Sequence, residues 1–173
     1  MVRYSWERRA RWYRNVFIFI ARQFFSEVQQ VICGLMSQGV IVGLCSKNNA
    51  DDVEAVFNSH KDMKLKLSDI SVQRINWSDK VANLEEIAEE LNIGLDSLVF
   101  VDDSEFEVQA VTTWLPSVTV YKVPDKLEEY PRLMREIMVN FDQPSFTDED
   151  NRRAEMYKDQ AVRKKSKAKF ASM

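Results

Sequence analysis

Apolar side chains recur along the chain at spacings that predict helices. Between residues 23 and 38 they recur at steps of three and four, the period of a helix with one buried face, and Gly39 follows as a typical helix end. Helices are also predicted at residues 51–60, 78–91, 106–114 and 130–141, with Ser78 as the possible N-cap of the 78–91 helix. A last, highly charged helix is predicted to begin near Thr147.

Short runs of consecutive apolar residues predict strands that are buried on both faces. Two such runs occupy residues 40–45 and 98–101, and polar residues follow each of them at once. Residues 63–67 alternate in the manner of an exposed or edge strand, and residues 117–123 predict another strand. Because helices alternate with buried strands, the expected fold is α/β with a mostly parallel sheet.

Composition and length narrow the class of protein. The 173 residues, 45% of them hydrophobic, suffice for one compact domain and exclude general disorder. The two cysteines, Cys33 and Cys45, lie in apolar stretches and indicate reduced core thiols rather than a disulfide scaffold. The longest apolar run, residues 16–20, is far shorter than the roughly 20 residues of a membrane span. Without a signal-peptide pattern, a cytoplasmic protein with no membrane partner is expected.

The net charge of −3 conceals an uneven distribution along the chain. Residues 1–14 carry +4 and residues 151–173 carry +6, which leaves −13 on residues 15–150. A body this acidic repels nucleic acid and suits a protein that holds divalent cations or simply stays in solution. The basic stretch at residues 163–169 has two interpretations, a contact for an acidic partner or a solvated helix end.

Polar residues placed at strand ends are the candidates for chemistry, because ligands of parallel α/β sheets bind at the carboxyl ends of the strands. The two clusters at strand ends are Ser46-Lys47-Asn48-Asn49 and Asp102-Asp103, and Lys80 starts the helix that lies between them in sequence. Two adjacent carboxylates repel each other unless a cation neutralises them, and such hard oxygen ligands suit Mg²⁺. A serine and a lysine nearby could hold a phosphate. Taken singly, each candidate also has a structural explanation as a turn, a cap or a solvated lysine.

The order of these candidates resembles the second, third and fourth motifs of the haloacid dehalogenase (HAD) superfamily. Residues 42–49, 75–84 and 95–103 closely resemble its FkbH-like branch, as do residues 115–116, residues 130–133 and the pattern Thr147-x-Glu149-Asp150-x-x-Arg153-x-x-Met156-Tyr157. The resemblance covers residues 23–170. It implies a three-layer, Rossmann-like HAD core at residues 16–141, preceded by an atypical segment at residues 1–15 and followed by a charged helical extension at residues 142–173.

The resemblance also implies a function and roles for the candidates. By this resemblance, the chain is similar to Mg²⁺-dependent enzymes that take the glyceryl group from 1,3-bisphosphoglycerate and remove its phosphate. These enzymes load the glyceryl group on an acyl carrier protein in polyketide biosynthesis. A phosphorylated small molecule and an acyl carrier protein are therefore the implied partners. Ser46, Lys47 and Asn48 would bind phosphate, Lys80 would be the catalytic lysine that neutralises charge, and Asp102 with Asp103 would hold Mg²⁺. The chain departs from the family at Ser104-Glu105, where the family usually has Asn-Pro.

The first motif of that family, Asp-x-Asp-x-Thr, supplies the nucleophile and does not occur in this sequence. The candidate replacement for its central strand, residues 16–20, ends in Ala21-Arg22, which cannot attack phosphorus. We therefore expect phosphate and metal binding without covalent catalysis by this chain alone, in a core whose central strand is missing or substituted. The alternatives are a non-catalytic module that binds a carrier protein or partner subunit, and a pseudogene product that folds poorly because two strand edges stay unpaired.

The first residues suggest an origin for the missing motif. If the gene is read one base later, the codons of Met1-Val2 must yield a Trp codon. In the same shifted frame, the codons of Trp6-Glu7 and of Trp12-Tyr13 must each yield a Gly codon, five and eleven codons after that Trp. The segment that follows the first motif in the family has a Trp and two Gly at that spacing. The hypothesis is that the chain begins with a frameshifted segment of about 15–22 residues, and the nucleotide sequence upstream tests it.

Three other residues have two interpretations each. His60, the single histidine, lies beside Lys61 and Asp62 in a polar loop, and a catalytic or metal role is weighed there against no role in the chemistry. Cys45 could be a thiol nucleophile or a small buried residue at a strand end. Trp77 could shape the pocket ahead of Lys80 or pack in the core.

Overall fold

The computed structural model of the protein describes residues 22–141. Five helices, four strands and short 3-10 turns follow one another in this order: α1 Arg22–Ser37, β1 Gly43–Ser46, α2 Ala50–Ser59, β2 Val72–Ile75, α3 Lys80–Leu91, β3 Val99–Asp102, α4 Glu105–Trp114, β4 Thr119–Lys122 and α5 Tyr130–Phe141. This alternation confirms the α/β expectation, and each predicted helix in the range begins within two residues of its prediction. The predictions for residues 1–20 and 142–173 lie outside the described residues.

The four strands form two parallel pairs. β1 runs parallel to β2, with Gly43 opposite Val72, and β3 runs parallel to β4, with Val99 opposite Thr119. Between residues 22 and 141 the pairs are two separate two-stranded sheets. The candidate for a strand between them, residues 16–20, belongs to the part of the chain that is not described.

Two groups of helices cover opposite faces of the strands. One buried cluster joins both strand pairs to α3 and α4, and it consists of Val72, Leu84, Ile87, Leu91, Phe100, Val111, Leu115 and Val118. A second cluster joins α1 to α5, and Val101 and Tyr121 pack against it. Phe100 and Val101 are neighbours in β3 and point to opposite clusters, as successive side chains of a strand do. The layers are therefore helix, strand and helix, and the first of these clusters holds the two strand pairs together.

The strand predicted at residues 63–67 is wrong, and the strand β2 at Val72–Ile75 was not predicted. The backbone N–H groups of Lys64 and Leu65 donate to Gln29 Oε1 at 2.7 and 3.1 Å, so a buried side chain of α1, and not a neighbouring strand, satisfies them. β2 contains only two apolar residues in four, which gives no recognisable pattern. Its pairing with β1 decides its conformation.

The start of α3 also differs from the prediction. Its N-cap is Asp79 and not Ser78, because the Asp79 carboxylate accepts the Val81 N–H at 2.8 Å. The Ser78 N–H instead donates to the side chain of Asn76. The helix consequently begins at Lys80, directly at the edge of the sheet.

Candidate functional site

Ser46, Lys80 and Asp102 lie at the carboxyl edge of the strands. Ser46 is the last residue of β1, Asp102 is the last of β3, and Lys80 is the first of α3. All three are buried, with at most 7% of each residue exposed. Polar groups this deeply buried need partners, since their desolvation is otherwise unfavourable.

Lys80 and Asp102 are partners in a buried ion pair. The Lys80 ammonium donates to Asp102 Oδ2, and the Ser104 N–H donates to the other carboxylate oxygen at 2.9 Å. The same ammonium lies 5.8 Å from the centre of the Phe100 ring, within the range of a cation–π contact. The lysine that follows β2 is thus tied to the aspartate that ends β3, and the two strand pairs present one common edge.

A second ion pair, between Lys47 and Glu107, crosses the same edge. Lys47 Nζ lies 2.7 Å from Glu107 Oε1, and the glutamate side chain is largely buried. Glu107 was not among the predicted site residues. The sequence offered one signal for Glu107, its place as an acidic residue in the first turn of α4. This turn lies at the same edge of the strands as Lys47, which follows β1.

The remaining predicted residues lie beside these pairs. Asn48 is buried, and its Oδ1 accepts the N–H of Asn49 at 2.9 Å, so its side chain stabilises the loop after β1. Asp103 is half-buried next to Asp102. Burial raises the pKa of the Tyr130 hydroxyl, and the negative charges of Asp103 and Asp125 raise it further. The negative charge of Asp103 therefore reaches the start of α5.

The structure adds observations on three further residues. Burial is the main reason that the pKa of the Cys45 thiol rises to about 11, so this thiol is protonated at neutral pH and is a poor nucleophile. Trp77 is 67% exposed, which excludes core packing. His60 Nδ1 accepts the Asp62 N–H at 3.3 Å, a contact that stabilises the turn after α2.

Two negative findings apply to the described part of the chain, residues 22–141. No group of three or more His, Cys, Asp or Glu side chains there could hold a metal ion by itself. No helix in that range is long and apolar enough to cross a membrane. A divalent cation at Asp102 and Asp103 would therefore need further oxygen ligands from water or from a bound phosphate, which is the usual way in which Mg²⁺ is held.

The chain is similar to a solved structure. It is the N-terminal part of the protein BF1531 from Bacteroides fragilis, which contains a phosphatase domain complexed with Mg; the two chains are 36% identical, with a TM-score of 0.63. The match covers 70% of this chain and 32% of that one, so this chain spans about a third of the solved structure. No family model matches the chain, and no curated protein matches it.

Proposed function

We propose that the carboxyl edge formed by β1, α3 and β3 is a Mg²⁺-dependent site for phosphate esters, in a domain of the phosphatase type. The observation that carries the proposal is the buried Lys80–Asp102 pair beside the buried Ser46, at the edge where parallel α/β sheets bind ligands. The likeness to a phosphatase domain complexed with Mg supports it independently.

Each residue has a role that follows from its charge and place. The hydroxyl of Ser46 and the ammonium of Lys47 would bind phosphate oxygens, with Asn48 holding the loop between them and α2. Lys80 supplies positive charge that can shift from Asp102 toward an incoming phosphate. Asp102 and Asp103 would hold Mg²⁺, which supplies further positive charge next to the phosphate. The donor set fits this ion, since one or two carboxylates with phosphate and water are sufficient for it.

The role of Ser46 is tested by the affinity for inorganic phosphate in the presence of Mg²⁺, measured by calorimetry. Ser46→Ala is expected to weaken binding by about tenfold or more, because a hydrogen bond to a charged group is lost. The matched control is Ser117→Ala, an exposed serine just before β4 at the opposite edge, which should leave the affinity unchanged. Equal affinities of the two variants, with unchanged unfolding midpoints, would remove Ser46 from the site.

The finer proposal is that the domain descends from an enzyme that transfers a glyceryl group from 1,3-bisphosphoglycerate to an acyl carrier protein. The sequence motifs that resemble the FkbH-like branch support it. An immobilised acyl carrier protein is expected to retain the full chain, and to retain less of a variant in which Lys164, Lys165 and Lys167 are replaced by glutamine. Absence of retention would argue against the carrier protein as a partner, and retention that survives these changes would move the contact away from the basic stretch.

A further inference from the structure

Trp77 is a large apolar side chain that the fold holds in solvent beside the proposed phosphate site. It lies between β2 and α3, three residues before Lys80, and it is 67% exposed. Its indole Nε1–H donates to Asn49 Oδ1 at 3.2 Å, and Asn49 directly follows Asn48 in the loop after β1. The indole therefore connects the loop that follows Ser46 to the loop that precedes Lys80.

The loop that carries Trp77 is held by its own hydrogen bonds. The side chains of Asn76 and Asn83 pair reciprocally, with N–O distances of 3.1 and 2.9 Å, and Asn76 Oδ1 also accepts the Ser78 N–H at 3.0 Å. The Asn49 amide that accepts from the indole donates in turn to Asp52 at 3.1 Å. An aromatic face presented by an ordered loop binds a ligand without a further ordering cost.

The geometry assigns Trp77 to the organic group of the phosphate ester, an assignment that rests on the proposed function. Ligand sites commonly combine a few polar groups that fix one end of the ligand with aromatic surface that covers the rest. Ser46, Lys47 and Lys80 provide the polar end at this edge, and the indole face provides adjacent apolar surface. Trp77 thus selects among phosphate esters by the apolar face that their organic group presents, and inorganic phosphate does not reach it.

The test measures the affinity of the full chain for three ligands in the presence of Mg²⁺: inorganic phosphate, glycerol 3-phosphate and phenyl phosphate. Trp77→Ala is expected to lower the affinity for phenyl phosphate by about three- to tenfold, which is the scale of a lost aromatic contact. The affinity for glycerol 3-phosphate should fall by less. Inorganic phosphate should bind as before. Trp77→Phe should keep most of the affinity for phenyl phosphate, because the flat apolar face remains.

Trp114 offers a matched control. It is 74% exposed and ends α4, at the opposite edge of the sheet, so Trp114→Ala should leave all three affinities unchanged. If Trp77→Ala alters no affinity, or lowers all three by the same factor, the assignment of Trp77 is wrong while the phosphate site stands. If the wild-type chain binds none of the three ligands, the proposed function and this assignment both fail.

Discussion

Replacing Lys80 with methionine is expected to lower the free energy of unfolding by about 3–5 kcal/mol. The Lys80 and Asp102 side chains are only 5% and 6% exposed, so the variant leaves a buried carboxylate that has lost its ammonium partner and still accepts the N–H of Ser104. An uncompensated buried charge is among the most destabilising changes a fold can receive. Urea unfolding of the wild type and the variant measures the difference.

Two further variants make this result specific to the buried pair. Arg132 and Glu136 form an ion pair at 2.9 Å, with side chains 79% and 47% exposed, and Arg132→Met is expected to change stability by about 0.5 kcal/mol or less. The double variant Lys80→Met with Asp102→Leu should regain most of the loss, because both charges are then absent. If Lys80→Met costs no more than Arg132→Met, the pair does not stabilise the edge as described.

The chain of residues 1–173 is expected to release no phosphate from an aryl phosphate above the rate in buffer. Loss of a nucleophile typically lowers turnover by roughly 10⁴–10⁶-fold, and the sequence contains no Asp-x-Asp-x-Thr motif. Cys45 cannot replace it, because burial raises the pKa of its thiol to about 11. The measurement is colorimetric release of phosphate with and without Mg²⁺.

The control for this prediction is Asp102→Asn. Trace release that is the same in the wild type and in this variant reflects a contaminating phosphatase. Release that depends on Mg²⁺ and is abolished by Asp102→Asn would instead show that the chain carries a complete catalytic site, and the account of a lost nucleophile would be wrong.

Elements with strong local patterns were predictable from the sequence, and elements that depend on distant partners were not. α5 occupies the predicted residues 130–141 because its apolar positions recur at the helical period. Residues 63–67 alternate as a strand would, yet Gln29, more than thirty residues earlier, takes up two of their N–H groups. β2 is mixed in composition and becomes a strand through its ladder with β1.

The same distinction applies to the site. The rule that polar residues after buried strands meet at one edge depends only on parallel topology, and Ser46 and Asp102 do end β1 and β3. Lys80 was a candidate as the start of the intervening helix, and the structure brings it to Asp102. The two ion pairs were not predictable, since they join residues separated by 22 and 60 positions in the sequence. Glu107 was therefore missed, and the choice against core packing for Trp77 needed its exposure in the structure.

The mutual dependence of Mg²⁺ and phosphate binding tests the central claim most directly. The described residues hold no group of three acidic or other metal-ligating side chains, so the ion would take further oxygen ligands from water or from a bound phosphate. A phosphate that supplies such an oxygen should strengthen the binding of the ion, and the ion should strengthen the binding of phosphate equally. Calorimetry should show phosphate binding about tenfold or more tightly in Mg²⁺ than in EDTA. Asp103→Asn should remove this gain, and Asp96→Asn, an exposed control ahead of β3, should keep it. Equal phosphate affinity in Mg²⁺ and in EDTA would contradict the account.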